Sequence, residues 1–392
     1  MFNDRELVVI AWITLELVSY REGQLRSRSI VEMQTASTSL RALSGGYSMR
    51  KGRFSNLDYV YTEKTINHLK RWQQERSRKL REKDYSYVVP SVRPDLTYLH
   101  HNRLEPTLTW IGHSTFLLQH SGLNIVTDPV WAQQLGLHKR MTAPGIPIED
   151  MPPIDVVLVS HSHYDHLSIT SLRRLQGAKT LLVPAGLKSK LQLKGFMRVH
   201  ELAWWESIVV RGVKFTFVPS QHWARRTPWD MNRSHWGGWV IEGADASDSA
   251  TAEAEPSAPP PAPASGSADA SAEHPIVSRV PTIYFAGDSG YFRGFADIGK
   301  RFAIDIAMMP IGAYEPEWFM GPQHVSPEEA LQAYLDTEAS WFVPMHYGAF
   351  KLADDTPREA LDRLEAGRLA LGIPRERLLL LMHGETWKIN GQ

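Results

Sequence analysis

The sequence predicts an α/β layered domain, and three observations predict it. Short β-type runs recur from Thr107 onwards, each closed by polar or turn residues. Helix candidates are interspersed among these runs, so sheets would be covered by helices. A chain of 392 residues is long enough for one large layered domain or two smaller ones.

In order, the strand-like runs are Thr107–Gln119, Leu123–Thr127, Asp155–Ser160, Thr180–Val183, Val213–Pro219, Trp236–Glu242, Thr282–Ala286, Ile304–Met309, Trp341–Pro344 and Leu378–Lys388. Ile169–Gln176, Pro327–Asp336 and Pro357–Arg368 read as helices. Ser326 and Asp355 are the cap candidates for the last two. Pro327 and Pro357 suit a first helical turn, where a missing N–H costs nothing.

Two stretches depart from this pattern. Residues 1–94 read as an N-terminal extension to a domain spanning 95–392. Within the extension, Glu63–Lys83 places Ile66, Leu69, Trp72 and Leu80 at roughly helical spacing among charged residues, which predicts an exposed helix with a thin apolar stripe. Leu7–Tyr20 is mainly apolar, yet it is too short to span a bilayer and contains Glu16. It reads as a buried helix or strand, with a membrane-surface or self-association element as the alternative. Residues 243–274 are dominated by Ala, Ser, Pro, Asp and Glu. Such a stretch has too little apolar surface to offset its ordering entropy, so it reads as a disordered insertion between two core strands.

Composition narrows the chemistry. Lys plus Arg and Asp plus Glu are both 43, so no global field attracts nucleic acid. The chain has no cysteine, which excludes disulfides, thiolate nucleophiles, iron–sulfur clusters and cysteine-ligated zinc. Any metal must be held by imidazole and carboxylate. No secretory signal is evident, which makes a cytoplasmic location the expectation, with peripheral membrane contact and a homodimer as open alternatives.

The densest signal is Ser160-His-Ser-His-Tyr-Asp-His166, directly after a strand-like Asp-Val-Val-Leu-Val run. Three imidazoles and a carboxylate this close cannot all be core residues, because an apolar interior has no means of holding them without a cation or polar partner. A turn here can aim His161 and His163 at one metal and Asp165 and His166 at another. Further candidates lie at the ends of other apolar runs: His222 in Pro-Ser-Gln-His-Trp, Asp288 in Ala-Gly-Asp-Ser-Gly, and His346 in Val-Pro-Met-His-Tyr-Gly. Strand ends on one rim of a layered domain are where functional residues converge. Taken alone, His222 and His346 could equally be structural histidines, and Asp288 could be a turn former. His113 reads equally well as a polar floor residue or a direct participant.

The run His161-Ser-His-Tyr-Asp-His166, with these later residues, resembles the H-x-H-x-D-H motif of the metallo-β-lactamase superfamily. The similarity is greater to its N-acyl-phosphatidylethanolamine-hydrolysing phospholipase D family. Thr109-Trp-Ile-Gly-His-Ser114, Thr127-Asp-Pro129, Trp204-Trp-Glu206, Phe285-Ala-Gly-Asp-Ser-Gly-Tyr291, Pro310-Ile-Gly-Ala-Tyr-Glu-Pro316 and Gln323-His-Val-Ser-Pro-Glu-Glu329 extend the likeness over roughly residues 100 to 350. The resemblance implies a four-layer αββα sandwich with two Zn²⁺ in its cleft. It places His161, His163 and His222 on the first ion, Asp165, His166 and His346 on the second, and Asp288 between them. It makes His324 an additional active-site histidine and puts Tyr164 and Tyr314 near the substrate head group. Asp165, Asp288 and His324 are thereby the candidate catalytic residues.

The implied activity is cleavage of a phosphodiester in N-acyl-phosphatidylethanolamine-type phospholipids by a zinc-activated hydroxide. Ligand type suits Mn²⁺ or Fe²⁺ as well. Trp318-Phe319-Met320, between Pro316 and Gly321, reads as an exposed apolar triplet and suggests an acyl-chain groove. The alternatives are a lactonase or a small-molecule esterase or phosphodiesterase on the same fold. A metal-free scaffold fits an uninterrupted seven-residue donor set poorly, and a nuclease fits poorly for want of a basic-aromatic stripe beyond residues 63–83.

Overall fold

The computed structural model describes residues 52–58, 66–244 and 280–389. The Leu7–Tyr20 stretch, the start of the Glu63–Lys83 helix and the 243–274 insertion beyond Ala244 lie outside the described residues. The remainder of that helix is α1 (Ile66–Glu82), followed by α2 (Leu96–His101). The first strands are β1 (Thr107–Gly112), β2 (Thr115–His120), β3 (Leu123–Thr127) and a ribbon of β4 (Gln134–Leu135) and β5 (His138–Lys139). Then come β6 (Val156–Leu158), α3 (Ile169–Arg174), β7 (Thr180–Pro184), α4 (Lys188–Gln192) and β8 (Val199–Leu202).

A second series holds β9 (Ser207–Val210), β10 (Val213–Val218), β11 (Gly238–Gly243), β12 (Ile283–Phe285), α5 (Gly294–Gly299) and β13 (Ile306–Pro310). It continues with α6 (Glu317–Met320), α7 (Pro327–Asp336), β14 (Trp341–Met345), α8 (Pro357–Ala370) and β15 (Thr386–Lys388).

These strands form two mixed sheets. One runs β15-β1-β2-β3-β6-β7-β8 and the other β14-β13-β12-β11-β10-β9. Period-2 alternation sorts their side chains into layers. In the first sheet Trp110, Phe116, Leu118, Ile125, Val156, Leu158 and Leu182 join Phe215, Phe217, Trp239 and Phe285 of the second in one buried core. Their alternating neighbours Leu117, Val126, Val157, Leu181 and Val183 face outward and pack with Leu99, Leu172, Leu187 and Leu191 of the covering helices. Helices α7 and α8 cover the second sheet through Leu331, Tyr334 and Leu364. This is the expected αββα sandwich.

Several local expectations change. The single run Thr107–Gln119 is a hairpin, because Gly112 (φ +129°) and His113 (φ +57°) turn the chain between β1 and β2. The α8 cap is Thr356, not Asp355: Thr356 accepts from Glu359 N–H and Glu359 reaches back to the Thr356 N–H. Asp355 instead accepts from Ala313 and Glu315 N–H. Strands β8 and β9 had no clear signature, since both carry exposed or half-exposed residues at a sheet edge.

Candidate metal centre

The seven predicted donors come from four separate strand ends. β6 delivers His161–His166, β10 delivers His222, β12 delivers Asp288 and β14 delivers His346. The first group brings His161, His163 and His222 together, with His161 Nε2 2.8 Å and His222 Nε2 3.3 Å from His163 Nδ1. The second brings Asp165, His166 and His346 together, with both imidazole Nε2 atoms 3.3–3.4 Å from Asp165 Oδ2. Asp288 lies between the groups. Its Oδ2 is 3.1 Å from His166 Nε2 and 3.8–3.9 Å from His222 and His161, and its Oδ1 is 3.2 Å from His346 Nε2.

This donor set fits divalent cations. The Nε2 atoms of His166 and His346 and Asp288 Oδ1 are buried and make no hydrogen bond, although they lie within 3.4 Å of neighbouring donors. Buried polar atoms are seldom left this way unless something else joins them. Burial pushes the His163 imidazole down to about 3 and His222 to about 4, and His161 falls well below its ordinary value for the same reason. Their lone pairs are therefore unprotonated at neutral pH, as metal ligation requires. Burial opposes charge on Asp165 and Asp288 as well, but the facing His166 holds both well below the usual carboxylate range. Two ionised carboxylates in a dry pocket call for positive charge. The same carboxylates outweigh burial at His166 and His346, raising His166 above its ordinary value and His346 to about 9.

Backbone geometry is shaped to this centre. Gly287 has φ +64°, and a Cβ there would meet Ser160 Cβ at 2.6 Å and Gly237 O at 2.9 Å. Only glycine lets the Asp288 turn nest against the β6 loop. His113, Asp128 and His346 also have positive φ, a conformation retained at functional sites when surrounding packing enforces it.

Two residues join the site that motif reasoning did not assign. Asp128, at the end of β3, is completely buried and accepts His166 Nδ1–H at 2.6 Å, Ser160 Oγ–H at 2.5 Å and Ser160 N–H at 2.7 Å. His113 places Nε2 3.1 Å from Asp165 Oδ2, with its ring 4.1 Å from that of His346. The signal for both was a polar residue closing an apolar strand, in Gly-His-Ser and Thr-Asp-Pro.

The other candidates separate. His324 lies beside the first group, its Nδ1 3.9 Å from Asp288 Oδ2 and its ring 5.1 Å from that of His222. The neighbouring Gln323 carbonyl accepts His222 Nδ1–H at 2.9 Å. Tyr164 is 48% exposed at the rim, its hydroxyl bonded to Arg226 O. Tyr314 is fully buried in the core beneath the Arg363 guanidinium, so it offers no surface to a ligand in this conformation. The Trp318–Met320 triplet is not the exposed patch its sequence suggested. Phe319 stacks on Trp72 of α1 at 5.5 Å, while Trp318 donates to Glu75 and lies under Arg71.

The "Beta-lactamase superfamily domain" profile matches residues 123–250 and 260–347, more than half of the chain. The chain belongs to that superfamily. It is 31% identical over 283 residues to N-acyl-phosphatidylethanolamine-hydrolyzing phospholipase D 1 of Caenorhabditis elegans, covering 66% of this chain and 70% of the relative. At that identity and coverage the kinship is one of family. A metal-dependent hydrolase of Methanopyrus kandleri is 27% identical and covers 72% of this chain and 99% of its own. Among solved structures, the metallo hydrolase Igni18 of Ignicoccus hospitalis superposes with a TM-score of 0.50 at 22% identity, covering 72% and 98% of the two chains. That superposition supports the fold of this superfamily member.

Proposed function

We propose that the chain is a metal-dependent hydrolase which carries two zinc ions and cleaves the phosphodiester of N-acylated phosphatidylethanolamine. The observation that carries the hydrolase reading is Asp288, lying between two donor groups with its two oxygens 3.1 and 3.2 Å from His166 and His346. His161, His163 and His222 would hold one ion, Asp165, His166 and His346 the other, and Asp288 would bridge them. When bound, such ions supply Lewis acidity and a water acidified to a pKa of about 7.

The protein's own groups do the rest. Asp128 fixes the His166 tautomer by accepting from Nδ1, which leaves Nε2 directed into the cleft. His113 steadies Asp165 in the same way. His324, beside Asp288 but outside both donor groups as assigned, is placed to hydrogen-bond a phosphoryl oxygen or to give a proton to the departing alkoxide. The bond broken joins phosphorus to the N-acylethanolamine oxygen. Water oxygen takes its place on phosphorus, releasing phosphatidic acid and N-acylethanolamine.

The same donors would serve attack on a carbonyl, so the choice of phosphodiester rests on family kinship. Zinc-loaded protein presented with micellar N-acyl-phosphatidylethanolamine should release phosphatidic acid, and chelator should stop it. Hydrolysis of lactones or simple esters, with no metal-dependent phosphatidic acid, would replace this reading with the carbonyl one.

A further inference from the structure

Charge is unevenly spread along this electrically balanced chain. Residues 167–200 contain seven Lys and Arg and not one Asp or Glu, and residues 207–229 are likewise free of acid. The two stretches meet on one face. Helix α4 reaches the 225–233 loop through the Lys190 ammonium, which pairs with Asp230 at 3.1 Å. Asp230 also accepts from the backbone N–H of Arg226 and Thr227, which braces that loop.

The two stretches also hold large apolar side chains in solvent. Among the described residues, the four most exposed large apolar side chains are Leu104 (94%), Leu193 (90%), Met197 (77%) and Trp229 (70%). Three of these four belong to the acid-free pair of segments. Leu193 caps the end of α4, Met197 lies in the turn after it, and Trp229 is at the tip of the braced loop. Lys188, Lys190, Lys194 and Arg198 are interleaved with them. Two acids border these segments, Asp230 on Lys190 and Glu201 on the Lys188 N–H, and cations outnumber them; large apolar groups in such a setting suit the headgroup region of a bilayer. There the aromatic and aliphatic groups enter the acyl boundary and the cations meet lipid phosphates.

The face adjoins the metal cleft. Arg226, three residues before Trp229, donates to the carbonyls of Ser162 and Leu167 in the metal-binding loop and lies 4.1 Å over the Tyr164 ring. A surface seated on Trp229 would therefore meet the cleft rim. We propose that Leu193, Met197 and Trp229, with the cations of α4 and its following turn, form a docking face for a phospholipid bilayer that carries anionic lipid. The proposal extends the phospholipid reading above, since it presents the site to substrate held in a membrane.

Full-length, zinc-loaded protein should co-sediment with vesicles of phosphatidylcholine containing phosphatidylglycerol. Binding should weaken at high salt and on vesicles of phosphatidylcholine alone. The triple variant Leu193→Ser, Met197→Ser, Trp229→Ser should bind about tenfold more weakly or worse, and Lys188→Glu with Lys194→Glu should also weaken binding. Both should keep wild-type thermal unfolding and wild-type hydrolysis of a soluble short-chain phosphodiester. Wild-type vesicle affinity in the triple variant, or no vesicle binding by the parent, overturns the docking face. The two readings fail separately. Vesicle binding without hydrolysis of any phosphodiester would remove the function and leave the docking face, whereas hydrolysis of dispersed substrate without vesicle binding would do the reverse.

Discussion

Asp128 accepts the Nδ1–H of His166 at 2.6 Å, so an acid that motif reasoning had not assigned decides which face of a candidate metal ligand carries its lone pair. Asp128 also ties down Ser160, the residue that opens the His161–His166 loop. Removing such a partner typically weakens metal binding by roughly 10–100-fold. Asp128→Asn keeps tolerance of φ +32° but exchanges an acceptor for a donor at one oxygen. Its zinc affinity, measured by competition with a chelating dye, should fall within that range. An affinity within twofold of wild type would remove Asp128 from this role.

Gly287 should tolerate no side chain. A Cβ at that position would lie 2.6 Å from Ser160 Cβ and 2.9 Å from Gly237 O, and the positive φ adds strain for any L-residue, about 1 kcal/mol or more. Relieving the overlap requires the Asp288 turn to move away from the β6 loop, separating Asp288 from His166. Gly287→Ala should fold with reduced stability and retain clearly less zinc per chain by elemental analysis. Full zinc content and wild-type turnover would show that the turn has slack.

Legibility of the site followed the reach of local sequence. His161–His166 could be read because the donors share one turn, and His222, Asp288 and His346 because each closes an apolar run. The roles of Asp128 and His113 depend on sheet order, since β2-β3-β6 pairing sets the end of β3 and the β1–β2 turn beside the metal loop. Nothing near Asp128 in the chain points to His166. Tyr314 and Phe319 show the opposite effect. Both lie in motif-like segments, yet Arg363 of α8 covers one and Trp72 of α1 covers the other, from 49 and 247 residues away. The layered architecture was readable from alternation, whereas the edge strands β8 and β9 lack the apolar regularity that would announce them.

Helix α1 should matter to the site although it contributes no donor. Trp72 stacks on Phe319 with an interplanar angle of 6° and donates to Asp354 at 2.9 Å, while Arg76 pairs with the same buried carboxylate. Phe319 belongs to α6, whose Met320 carbonyl accepts from both Gln323 and His324 N–H. Trp72→Ala should cost about 3 kcal/mol, the low end for a tryptophan truncation because the ring is only half-buried. It should also lower kcat more than it lowers zinc content. Denaturant titration and metal analysis on the same preparation separate these effects, and unchanged stability would mean that α1 is not held by this contact.

Acid should destabilise the protein partly through histidines that are not among the assigned donors. Burial holds His235 down to about 3, where its ring stacks between Phe54 and Trp204, and His383 to about 4. An imidazole with a folded pKa below its unfolded value near 6.5 binds fewer protons when folded. Its contribution is complete above about pH 6.5 and is lost as pH falls towards 3–4, on the order of a few kcal/mol for each group. His235→Phe preserves the aromatic stack and removes the titration. Its unfolding free energy should therefore decline less steeply than wild type between pH 6.5 and 4; parallel curves would place the acid sensitivity elsewhere.

His324 and Asp288 make the sharpest pair of variants, because they are 3.9 Å apart yet have different proposed duties. Asp288 touches donors of both groups, so Asp288→Asn should remove a bridging charge and lower metal content and turnover together. His324 lies outside the seven assigned donors and contacts the site from the α6–α7 loop, so His324→Gln should keep both zinc ions. A residue acting as hydrogen-bond donor or general acid typically contributes 10²–10⁴-fold, and a fall in kcat of roughly 10²-fold or more is expected for His324→Gln. A leaving group that needs no proton should rescue it: a substrate that releases nitrophenolate instead of an alkoxide should lose far less rate. Equal losses on both substrates would make His324 a phosphoryl-oxygen partner instead, and loss of zinc would return it to the ligand set alongside His222 and Asp288, the grouping its own distances also allow.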